Sequence, residues 1–217
     1  MNGNSLFAIM IFESVLLSLV NISVIKYFSE GEVIGKTMKW VITLLTIVCV
    51  YMVTRVSNRP IADIIFGCLL IITGGIDYKT KTIVVGLTVL LGFLATGISL
   101  FYISPSLDLL WGGIFGFGFY LAIYLGAKAY YKKEAFGYGD VIFMGIIGLY
   151  LGFQNAILAS LMTFYVALIF VVIFSIVGKL TSRKAEVAFA PYMALSAWIV
   201  SYFGKNLIEL YVNLFIK

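Results

Sequence analysis

The chain predicts an all-α membrane protein, a polytopic bundle of about eight transmembrane helices. Three observations carry this. Of its 217 residues 62% are hydrophobic and 12% charged, with mean hydropathy +1.09, too little polar surface to cover a water-soluble globule. Its apolar runs are roughly 18 to 25 residues long and do not alternate, which is the signature of spanning helices rather than of barrel strands. Its basic residues gather in alternate connections between those runs, as they do when a chain crosses a bilayer repeatedly.

The first apolar run, 5–28, follows MNGNSLFAIM, a start with no basic n-region, and is long enough to stay as a span, so no cleaved leader is expected. The second, 38–54, comes after Lys36 and Lys39, and the third, 60–76, opens on Pro60 and closes at Asp77. Runs at 82–103 and 107–130 are long and uninterrupted. The run at 140–153 is short, fit either to tilt or to continue past Gln154-Asn155 into 155–178. A last run, 187–204, precedes a short amphipathic tail after Lys205. No soluble domain, linker or repeat stands out, so residues 1–217 read as a single transmembrane domain.

With the N-terminus outside, one face of the membrane collects Lys26, Lys36, Lys39, Lys79, Lys81, Lys128, Lys132, Lys133, Lys179, Arg183 and Lys184. The other collects Arg55, Arg59, Lys205 and Lys217. The first face is therefore cytoplasmic, with Arg55 and Arg59 as the dissent. The net charge of +5 is a topological signal, and a nucleic-acid partner is not expected. Membrane lipid is the expected surrounding; oligomeric state has no signature.

The chain has no histidine, which excludes a catalytic imidazole or a histidine-ligated haem. Cys49 and Cys68 lie inside apolar runs and read as packing residues. Neither a metal site nor any other cofactor is expected.

Ionisable groups near hydrocarbon are costly, so each of the ten acidic residues asks for a reason. Glu30, Glu32, Glu186 and Glu209 fall in loops or the tail, and Asp108 caps a span on the outer side. Glu13 and Asp63 lie within spans and read as buried polar contacts between helices. Asp77 and Asp140 differ, because the topology brings both to the cytoplasmic face at one depth, Asp77 ending the third span and Asp140 opening the sixth. Two carboxylates that meet can share one proton and activate water against a peptide carbonyl, with no metal or side-chain nucleophile. On position alone the alternative stands equally: two ordinary helix-end residues, Asp140 being an N-cap.

Local sequence adds to this. Asp140 ends Glu134-Ala135-Phe136-Gly137-Tyr138-Gly139-Asp140, where Gly137 and Gly139 allow a sharp bend and close approach of a substrate strand. Glu134 orients that turn or is an exposed loop carboxylate. Lys79 and Lys81 enforce topology.

These residues resemble the GxGD membrane aspartyl peptidases and, among them, the type IV prepilin peptidases. The likeness runs from about Ile71 onward, beginning with Ile76-Asp77-Tyr78-Lys79-Thr80-Lys81. Next come the glycine-rich Gly112-Gly113-Ile114-Phe115-Gly116-Phe117-Gly118, the block from Glu134 to Val141, the small residues Gly145, Gly148 and Gly152, and Phe189-Ala190-Pro191-Tyr192-Met193-Ala194-Leu195. The resemblance implies catalysis by Asp77 and Asp140, supported by Glu134, Gly137, Gly139 and Pro191. It implies as substrate a prepilin or pseudopilin, cleaved on the cytoplasmic side where a short basic leader meets an apolar helix. The glycines at Gly112, Gly116, Gly148 and Gly152 would then pack helices closely or line a groove for the substrate helix.

The two C-x-x-C pairs of the longer, N-methylating members are missing, which points to a short form without that activity. The proline that often follows the first Asp is replaced near Val84, and a lysine common after G-D-V is Ile142 here. Peptidases of the presenilin kind share G-x-G-D, but they place Tyr before the first Asp and use a P-A-L triplet. In this chain Ile76 precedes Asp77 and Tyr192 follows Pro191. A small proton- or cation-coupled transporter using Glu13, Asp63, Asp77 and Asp140 is the alternative from another class.

Overall fold

The computed structural model describes residues 3–29, 34–103, 107–132, 136–176 and 188–215. These form eight α-helices and, among the described residues, no strand: α1 (Gly3–Phe28), α2 (Lys36–Val56), α3 (Pro60–Thr80), α4 (Val85–Ser99), α5 (Leu107–Tyr131), α6 (Tyr138–Leu151), α7 (Phe153–Ile176) and α8 (Ala190–Phe215). Four of them, α2, α3, α5 and α7, are long and apolar enough to cross a membrane, while α4 and α6 are apolar but shorter. The chain is a multi-pass membrane protein, with helices where the apolar runs predict them.

Local chemistry sets the helix ends. Pro60 starts α3, where its missing N–H would have had no partner, and Lys81 ends it in the left-handed region at φ 57° with its N–H on the Asp77 carbonyl. Gly152, at φ +82°, terminates α6. The backbone N–H of Phe153 then donates to the Asp108 carboxylate at 3.3 Å, so α7 restarts at once in a new direction. Asp108 thus caps α7 from the first turn of α5. The last helix departs from expectation, because α8 runs unbroken to Phe215 with no separate tail. Lys205, Asn206 and Glu209 lower the hydropathy there, but they do not interrupt backbone hydrogen bonding.

The centre of the bundle is α3. Its apolar stretch is 61% buried against 22–28% for α2, α5 and α7, whose outer faces are left for lipid. In lipid, packing rests on close contact and polar links rather than on the hydrophobic effect. Both are present. Asn21 of α1 donates to Thr46 of α2 at 3.2 Å, and Thr73 of α3 meets Thr88 of α4 at 3.3 Å. Ile25, Ile34 and Ile42 of the α1–α2 hairpin cluster with Ile72 and Ile76 of α3. The closest approach is between α5 and α6, where a β-carbon at Gly112 would overlap the Gly148 carbonyl and one at Gly116 would lie 2.5 Å from the Met144 carbonyl. The two backbones touch, so these glycines serve close packing and leave no groove between them.

The intramembrane acids divide. Asp63 is buried, pairs with Arg59 at 3.3 Å and accepts hydrogen bonds from Ser57 and Tyr150, the interhelical contact expected of it. Arg59 is therefore held by a carboxylate, which accounts for half of the dissent in the basic-residue pattern. Glu13 is exposed on α1, contrary to the burial expected of it. Hydropathy places a residue along a span but does not say which side of the helix it occupies.

Candidate active site

Both aspartates of the predicted pair stand on buried helix turns at the same end of the bundle. Asp77 lies one turn before the end of α3 and is 5% exposed; Asp140 lies in the first turn of α6 and is 8% exposed. They are near enough for their charges to act on one another. Three contacts place their elements together: Gly139 against Ile83 of the α3–α4 connection, Gly74 against Pro191, and Asp77 against the start of α8.

Asp77 is held by backbone. The N–H of Ala190, first residue of α8, donates to its Oδ2 at 3.0 Å. Helix N-termini carry N–H groups with no intrahelical acceptor, so a carboxylate there fills a need of both partners. Pro191 follows at the second helical position and packs its Cα against Gly74, where a β-carbon would sit 3.3 Å away. The resemblance marked Pro191; its observed place is the seat of α8 on α3, three residues before Asp77. Lys81, at the α3 terminus, contributes a cation within electrostatic reach of Asp77.

Asp140 occupies the third helical position of α6, with Gly137 as N-cap, so it is not the capping residue itself. Its N–H bonds the Gly137 carbonyl at 3.1 Å, and its side chain turns back over that glycine. A β-carbon at Gly137 would stand 2.9 Å from Asp140 Oδ2, and one at Gly139 would stand 2.9 Å from Ile83 Cβ. The glycines therefore act by making room, Gly137 for the carboxylate and Gly139 for the connection after α3. Gly137 adopts φ −76° and ψ 131°, extended angles open to any residue, so the turn before α6 does not draw on glycine's freedom at positive φ. Glu134 lies outside the described residues.

Two neighbours of the pair escaped the sequence reading. The Ala190 N–H is a backbone group and leaves no residue signature. Tyr120 on α5 is fully buried and within electrostatic reach of Asp140. Its signal was available in the four-residue spacing Gly112, Gly116, Tyr120.

Fold and site together define a multi-pass helical membrane protein with two buried aspartates drawn to one end of its bundle. The chain belongs to the type IV leader peptidase family, whose model matches residues 64–176, a stretch that includes both aspartates. It is similar to the prepilin leader peptidase/N-methyltransferase of Xanthomonas campestris pv. campestris, 25% identical over 85% of this chain and 65% of that protein. The protein of the same description from Escherichia coli K12 is 27% identical over 76% of this chain and 75% of its own length. That from Pseudomonas aeruginosa is 30% identical over 68% of this chain and 53% of its length. The chain thus spans between about half and three-quarters of these relatives. No solved structure matches it significantly.

Proposed function

We propose that this chain is a membrane aspartyl endopeptidase that removes the short basic leader of prepilin-like proteins, with Asp77 and Asp140 as its catalytic pair in a single transmembrane domain. The observation that carries the reading is the convergence of two buried carboxylates from separate helices, inside the segment matched by a leader peptidase family.

The chemistry follows from the pair. One carboxylate takes a proton from water as the water oxygen bonds to the scissile carbonyl carbon, and the protonated partner gives its proton to the carbonyl oxygen. Collapse of the tetrahedral intermediate breaks the C–N bond, and the departing nitrogen takes up a proton from the pair. The Ala190 N–H holds Asp77 by one oxygen, and the Gly137 turn leaves room for Asp140, which limits the motion either carboxylate needs to meet a peptide.

The site sits on the cytoplasmic side in this reading. Lys26, Lys36, Lys39, Lys79, Lys81, Lys128 and Lys132 belong to the same ends of their helices as the aspartates, and basic residues are retained in the cytoplasm. A substrate with an apolar helix in the bilayer presents its leader junction at that level.

The test is cleavage of a purified prepilin-like substrate in detergent by the wild type and by Asp77→Asn and Asp140→Asn. Each variant should insert normally and lose at least about a thousandfold in activity. Wild-type cleavage by either would exclude the pair as the catalytic machinery.

A further inference from the structure

Glycine sets the register of the α5–α6 seam: Gly112 lies against Gly148, and Gly116 against Met144. In an antiparallel pair each step of four residues along one helix is answered by four residues back along the other. The next pair in the series is Tyr120 with Asp140. The structure agrees, since Tyr120 lies within electrostatic reach of Asp140. The Tyr120 ring also packs on Phe136, four residues before Asp140, at 5.8 Å, and on Phe189, beside Ala190, at 6.4 Å. Phe136 and Phe189 meet edge to face at 5.5 Å. One aromatic cluster therefore ties the turn that carries Asp140 to the helix start that holds Asp77.

Phenylalanine would serve that packing as well as tyrosine does. Yet Tyr120 is 0% exposed, and its hydroxyl has no hydrogen-bond partner among the described residues. Thr163 is close enough to act on that hydroxyl but meets no hydrogen-bond geometry with it, and its own proton goes to the Ala159 carbonyl at 2.8 Å. An unsatisfied buried hydroxyl costs stability, and such groups in native structures call for a reason.

We propose that Tyr120 is a positioning residue of the site: its hydroxyl donates to the Asp140 carboxylate once substrate is seated, fixing the orientation from which Asp140 meets the reacting water. This rests on the reading of Asp140 as one half of the catalytic pair. The bond supplies no proton to the reaction and adds to what the Gly137 turn already does, by holding the carboxylate from the α5 side.

Tyr120→Phe separates the hydroxyl from the ring. In the full chain in detergent, with a prepilin-like substrate, kcat should fall about tenfold, the worth of a hydrogen bond to a charged group. KM should be unchanged, and Tm unchanged or raised, because the orphan hydroxyl is gone and the aromatic packing stays. Wild-type kcat in Tyr120→Phe overturns the proposal, and so does a kcat loss accompanied by a fall in Tm, which would make Tyr120 a structural residue. Asp140→Asn is assayed alongside. If it is inactive while Tyr120→Phe is fully active, only this inference falls; if it remains active, the catalytic reading of the site falls with it.

Discussion

The phenol of Tyr150, in the last turn of α6, donates its proton to the carboxylate of Asp63, in the first turn of α3. The two helices that bring Asp77 and Asp140 together at one end are thus tied to each other at the opposite end. Phe66 stacks on the Tyr150 ring with centroids 3.9 Å apart, and the Arg59 guanidinium lies over that ring at 4.4 Å while pairing with Asp63. A buried carboxylate is tolerated there because charge and hydrogen bonds both reach it.

Tyr150→Phe keeps the stack on Phe66 and removes only the donor to Asp63. The loss should be about 1–2 kcal/mol, between the worth of a hydrogen bond to a charged group and the smaller values found within membranes. Thermal unfolding in detergent should show a lowered Tm, and a change to Asp63→Asn in the same background should cost less than it does in the wild type.

Gly137→Ala tests the room left for Asp140. The backbone angles at Gly137 suit alanine, so folding should be nearly unaffected, but the new β-carbon would crowd Asp140 Oδ2 from 2.9 Å. Displacing a reacting group by about an ångström costs up to about a hundredfold in rate. Cleavage should fall steeply with little movement in Tm.

Ala190→Pro deletes the N–H that holds Asp77 at 3.0 Å, at a helix position where proline is otherwise accepted. A loss of about tenfold in kcat is expected. Ala190→Ser, which keeps the backbone donor, should stay close to wild type. Equal losses in the two variants would assign the effect to the side chain.

Gly148→Leu should force α5 from α6, since even a β-carbon there overlaps the Gly112 backbone, at a cost of about 1–3 kcal/mol. Gly118→Ala on the same α5 meets nothing within 4 Å and should be neutral or slightly stabilising. The pair of variants, compared by thermal unfolding, separates the contact from glycine's helix propensity.

The helices were legible because spans are long apolar runs, and hydropathy changes sharply at their ends. Asp77 and Asp140 were legible because few acids occur near hydrocarbon, and topology brings only these two to one face in a motif context. Tyr120 and Tyr150 were not, since an aromatic residue in a span reads as packing until its neighbours are known. Glu13 failed for the related reason that depth along a helix carries no information about its facing. The Ala190 donor is invisible in principle, being common to every residue but proline. Asp108 reads as a cap on its own span, while its carboxylate reaches α7, because the break at Gly152 delivers a free N–H to it.

That break also limits length. A helix of 14 residues rises about 21 Å, while the hydrocarbon layer of an ordinary bilayer is about 30 Å thick. With the Gly152 end near one surface, Asp140, in the first turn of the helix, falls roughly 12 Å short of the other unless the lipid thins around it. If Asp140 acts on a peptide, that peptide must dip below the headgroups or find the membrane pinched there, and cleavage would then depend on acyl-chain length.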